Sequence, residues 1–121
     1  MKTPIVICDN GDISIFRSVA DAELSLEPID VINGEYVAYD ARGCLVDIKV
    51  VSESQAAWFG LSKSYIDRVK IELAEEQPRH VFDLEYELKV FLLKLRESDR
   101  WVEGASLDEL LDKVVASICY G

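Results

Sequence analysis

EYVAYDARGCLVDIKVV, residues 35–51, is the stretch on which the fold turns. Two runs suited to strands, Glu35 to Tyr39 and Cys44 to Val51, flank Asp40, Ala41, Arg42 and Gly43, a four-residue turn with glycine where a positive φ is usually required. This is the strongest hairpin signal in the chain. A second one precedes it: Pro4 to Cys8 is an apolar run, Asp9, Asn10, Gly11 and Asp12 carry turn chemistry, and Ile13 to Phe16 resume a strand. Between the hairpins, Ser18 stands as an N-cap with Asp21 three residues on. Val19, Ala22 and Leu26 recur at helical spacing, and Pro28 ends that helix. Another Asn-Gly pair, Asn33 and Gly34, follows.

Downstream the periodicity reads as helical. Ser62 or Ser64 caps a helix through Ile66, Val69 and Leu73 that ends before Pro78. The longest amphipathic segment runs from His80 to Glu97, with Val81, Leu84, Leu88, Phe91, Leu92 and Leu95 in one stripe that organises the core. Ser106 with Glu109 forms a capping box, and Leu107, Leu110, Leu111, Val114, Val115 and Ile118 follow on a last helix. The segment between Val51 and Leu61 reads as a linker that anchors Trp58 and Phe59 in the core. The expectation is one α+β domain over residues 1–121. Its antiparallel sheet is two hairpins in ββαββ order, covered on one face by C-terminal helices.

The chain has 121 residues, half of them hydrophobic, with 23 Asp and Glu against 13 Lys and Arg, a net charge of -10. That balance suits a folded domain and disfavours a direct grip on nucleic acid, which needs clustered Lys and Arg. Apolar stretches fall well short of the roughly 18–20 residues needed to cross a bilayer, and the N-terminus lacks a signal-peptide pattern, so the expected compartment is the cytoplasm with no membrane partner. Cys8, Cys44 and Cys119 are widely spaced in apolar surroundings and read as reduced structural thiols without a C-x-x-C metal pair.

Catalytic motifs are missing from the sequence: no nucleophile elbow, no glycine-rich phosphate loop, and a single histidine. His80, Asp83 and Glu87 fall within about a 60° sector of the long helix, which makes a small metal-binding domain or enzyme centred on His80 the alternative reading. That sector is also where an amphipathic helix places its polar flank. Phe82 and Tyr86, i and i+4 away from the centre of the apolar stripe, either cap a second buried face or lie exposed on a binding surface. The carboxylates carry more information. Between Arg17 and Arg42 stand Asp21, Glu23, Glu27, Asp30, Glu35 and Asp40 without one Lys or Arg, and Glu72, Glu75, Glu76, Asp83, Glu85 and Glu87 face Arg79 alone in a second block. Like charges at this density repel, and a cationic protein partner would relieve the repulsion.

Residues 18–48, SVADAELSLEPIDVINGEYVAYDARGCLVDI, carry a family resemblance: D-A-E at Asp21 to Glu23, L-E-P at Leu26 to Pro28, N-G-E-Y at Asn33 to Tyr36 and Y-D-x-x-G at Tyr39 to Gly43. Over this quarter of the chain the sequence resembles small acidic bacterial immunity proteins encoded beside polymorphic or contact-dependent toxins. The resemblance implies a non-enzymatic protein, without cofactor, metal or catalytic residues, that binds and neutralises a cognate toxin domain, often a basic nuclease. Glu23, Glu27, Asp30 and Glu35 in the first block and Glu72, Glu76, Asp83 and Glu87 in the second are the candidate partner-binding residues. An adaptor whose apolar helix face completes a homodimer is a further alternative.

Overall fold

A computed structural model describes residues 1–33, 36–56, 63–95 and 99–119, and only the backbone of residues 52–56, 63–67, 99 and 118–119 among these. Glu35 and Gly34, and the proposed anchors Trp58 and Phe59, lie outside the described residues. The element order is β1 (Ile5–Asp9), β2 (Asp12–Phe16), α1 (Val19–Ser25), α2 (Pro28–Ile32), β3 (Val37–Tyr39), β4 (Leu45–Ala56), β5 (Lys63–Leu73), α3 (Val81–Lys94), α4 (Asp99–Gly104) and α5 (Leu107–Cys119). The five strands form one antiparallel sheet in the order β2-β1-β3-β4-β5. The class is α+β, as the sequence suggests, with an order that departs from ββαββ at two points.

Local chemistry made the first half. Asn10 and Gly11 both have positive φ, 49° and 90°, the conformation that lets a two-residue loop match the twist of β1 and β2. Ser18 caps α1 by accepting from the Asp21 N–H at 3.0 Å. Pro28 does not end that helix, which stops at Ser25. It opens α2 at the first helical position, where its missing N–H costs nothing. Gly43, at φ 91°, closes the β3–β4 turn, and a Cβ there would lie 2.8 Å from the Val81 Cα. Glycine is therefore required twice over, by backbone conformation and by the approach of α3.

The helix expected across Ile66, Val69 and Leu73 is strand β5. Val69, Ile71 and Leu73 pair with Val50, Ile48 and Val46 on one face, while Lys70 and Glu72 pair with Lys49 and Asp47 on the other. A period of two was present beside the period of three and four, and pairing with β4 selected it. Residues 52–56, read as linker, continue β4, which runs on past the two residues that β3 pairs.

Helices cover both faces of the sheet, not one. Val6 and Cys8 pack with Tyr39, Leu84, Leu88, Leu92, Leu110 and Val114 beneath α3, α4 and α5. Ile5 and Ile7, on the opposite side of the same strand, pack with Ala22, Ala38, Val46, Val69 and Ile71 beneath α1 and α2. A strand buried on both faces reads as an unbroken apolar run, which accounts for the sequence Ile5 to Cys8. On α3 the buried residues are Leu84, Leu88 and Leu92, while Leu95, expected in that stripe, is exposed. Ser106 and Glu109 exchange both hydrogen bonds of a capping box, each at 3.2 Å, at the head of α5. Among the described residues no helix is long and apolar enough to cross a membrane.

Candidate functional site

The fold sorts the carboxylates into those it consumes and those it leaves to solvent. Asp40 is fully buried at the β3–β4 turn, where its oxygens accept from the backbone N–H groups of Lys2 (3.2 Å), Arg42 (2.9 Å) and Cys44 (3.0 Å) and from Arg42 Nε (3.1 Å). Burial alone would raise its pKa, but these donors together favour the ionised form and hold it below the usual carboxylate range. Glu75, half-buried between β5 and α3, accepts from the Leu45 N–H at 2.7 Å and meets His80 Nδ1 at 2.6 Å. First the Leu45 N–H and then the imidazole hold its carboxyl low. Both side chains tie the β3–β4 turn into place, and His80 adds a backbone bond to the Gly43 carbonyl at 2.9 Å.

The eight candidate residues divide in the same way. Glu23 reaches from α1 to accept from the Ile71 N–H at 2.8 Å, which satisfies a donor on the open side of edge strand β5. Glu72 lies between Lys70 and Lys49, each at 3.2 Å, and these two cations lower its pKa. These two are engaged internally. Glu27 precedes α2 without making a side-chain cap, Asp30 lies in its first turn, Glu76 is exposed ahead of α3, and Asp83 and Glu87 lie on α3. Glu35 lies outside the described residues. The two acidic blocks meet through members the fold consumes, Asp40 and Glu75 at the β3–β4 turn and Glu23 beside Glu72 at β5, whereas Glu27 and Asp30 lie at α2 over one face of the sheet and Asp83 and Glu87 on α3 over the other.

His80 sits at the N-cap of α3 with its Nδ1 on Glu75 rather than on Asp83 or Glu87. Among the described residues no group of three or more His, Cys, Asp and Glu side chains is placed to hold a metal ion. Cys8 and Cys44 are buried free thiols. Burial, then the charge of Glu87, pushes Cys8 up to about 12, and burial followed by Asp40 raises Cys44, so neither is poised as a thiolate.

Sequence reasoning missed the apolar side chains that α1 and α2 leave in water. On α1 and α2, Leu24 is 87% exposed, Ile29 68% and Ile32 66%, beside Asp21, Glu27 and Asp30. Part of the signal was available: Leu24 and Ile32 stand off the spacing of Val19, Ala22 and Leu26, while Ile29 continues it and is turned outward because Pro28 starts a new helix. An open crevice alongside α1 has Glu23, Leu24 and Glu27 on one wall and Arg68, Val69 and Lys70 of β5 on the other. On α3, Phe82 is 85% and Tyr86 66% exposed, which resolves their two readings in favour of exposure. No family model matches the chain, and neither the curated proteins nor the solved structures contain a match to it.

Proposed function

We propose that the chain is a non-enzymatic inhibitor of a cationic protein toxin, an immunity protein acting in the producer's cytoplasm, and that it meets the toxin through the outer surface of α1 and α2. The observation that carries this reading is the pairing of three large exposed apolar side chains, Leu24, Ile29 and Ile32, with Asp21, Glu27 and Asp30 on elements that contain no Lys or Arg. Exposed branched aliphatics beside charge supply what an interface needs: apolar anchors that lose water on contact and a polar rim that sets the sign of the partner. Carboxylates in that rim attract Lys and Arg, and with a net charge of -10 the whole molecule steers a basic partner toward it. Against a nuclease, Glu27 and Asp30 would occupy the positions that phosphates otherwise fill.

The resemblance of residues 18–48 to immunity proteins falls on this same segment. The test is co-purification with the C-terminal toxin domain encoded beside this chain's gene, together with protection of cells that express that domain. A stable complex and restored growth are expected. Replacing Ile29→Ser with Ile32→Ser should weaken the complex at least about tenfold, the loss typical when interface anchors are removed. No complex, or one indifferent to this pair, would contradict the reading.

A further inference from the structure

Helix α3 is apolar on two sides. Leu84, Leu88 and Leu92 face the core, whereas Phe82, Tyr86 and Leu93 fall within about a 40° sector on the opposite side and are exposed. Helix α5, by contrast, turns Leu110, Leu111 and Val114 inward and exposes Asp108, Glu109 and Asp112. A helix with apolar side chains on both faces is built to be covered on both.

The charges beside this outer stripe select the cover. Unlike α1 and α2, which contain no Lys or Arg, this helix carries both signs in order: Asp83, Glu85 and Glu87 on the N-terminal half, then Lys89 and Lys94. A uniformly cationic partner would meet those lysines. The arrangement is nearly symmetric about the helix midpoint. Phe82 and Leu93 stand equally far from the point between Glu87 and Leu88, and Glu85 and Lys89, which flank the same edge of the stripe, stand almost so. We propose that the outer face of α3 docks a second copy of this chain in antiparallel, two-fold packing, with Phe82 against Leu93 of the other copy, Tyr86 against Val90, and Glu85 against Lys89. Each contact then occurs twice, as an isologous interface requires. Lys94, whose ammonium lies over the β1–β2 turn at Gly11, is not needed for the register.

Covering Phe82 and Tyr86 removes on the order of 300 Å² from water per copy. That is below the roughly 800 Å² per partner of standard interfaces, so the dimer is weak and assembles with concentration. Sedimentation equilibrium of the intact chain from about 1 to 500 μM should show a monomer of 13.6 kDa passing to twice that mass. Phe82→Ser, Lys89→Glu and Glu85→Lys should each weaken dimerisation at least about tenfold with unchanged circular dichroism, since all three side chains lie away from the core. The double exchange Glu85→Lys with Lys89→Glu should restore it. A chain that stays monomeric over this range overturns the proposal. So does a dimer indifferent to Phe82→Ser, or one weakened by both single charge changes that the exchange fails to rescue.

Discussion

The surface of α1 and α2 and the outer face of α3 lie on opposite sides of one sheet, and both leave large apolar side chains in water. They differ in charge. On the helices of the first surface Asp21, Glu27 and Asp30 are of one sign, with Arg68 and Lys70 across the crevice on β5, while the second passes from Asp83, Glu85 and Glu87 to Lys89 within two turns. A surface of one sign repels its own copy and suits a partner of the other sign, whereas a surface ordered from minus to plus can meet itself reversed. Exposed apolar area alone would not separate these uses.

That distinction holds only if the outer faces contribute little to stability, and substitutions on α3 test this with the largest expected effect. Leu88→Ala, inside the core, should cost about 3 kcal/mol in urea unfolding, while Tyr86→Ala should stay within about 0.5 kcal/mol. Equal losses would mean that the outer stripe packs within the chain itself. Next comes the contrast between consumed and exposed carboxylates. Asp40→Ala leaves three backbone N–H groups without their acceptor and should cost about 2–3 kcal/mol, whereas Glu27→Ala should cost almost nothing.

The same contrast has a pH signature. Asp40 and Glu75 have folded pKa values below their unfolded ones, so they stabilise the fold above the unfolded carboxyl values near 4, and that contribution disappears as pH falls through the folded values. The urea midpoint should therefore drop on acidification below about pH 4, and Asp40→Asn should flatten the drop. A midpoint that rises on acidification would contradict the assignment. The smallest effect is expected at Glu72→Gln, which should leave the urea midpoint essentially unmoved, because its pairs with Lys49 and Lys70 are exposed to solvent.

Features set by neighbours in sequence were legible. The β1–β2 turn, the Ser18 cap, the Gly43 turn and the Ser106–Glu109 box each depend on a few adjacent residues. Strand β5 was not, because Val69 and Leu73 satisfy both helical and alternating spacing, and only the register with Val50 and Val46 decides between them. Cover on both faces was encoded in the unbroken run Ile5 to Cys8, which marks a fully buried strand. Short α4 announces itself by no periodicity in Asp99–Gly104. At the candidate site, Glu23 and Glu72 looked like free carboxylates because their partners come from distant sequence: packing of α1 along the edge of β5 brings in the Ile71 N–H, and strand pairing brings in Lys49. The exposure of Ile29 and Ile32 likewise depends on which side of α2 packs on the sheet, and Val31 takes that side.

The most direct test of the division between the two surfaces is the association rate with the toxin domain proposed as the partner, measured against ionic strength for two charge reversals. Glu27→Lys with Asp30→Lys should slow association at least about tenfold at low salt and flatten its salt dependence, while Asp83→Lys with Glu87→Lys should change it less than about threefold. If the α3 pair instead produces the large loss and the α2 pair the small one, the toxin docks on the other side of the sheet and the assignment of the two surfaces is wrong.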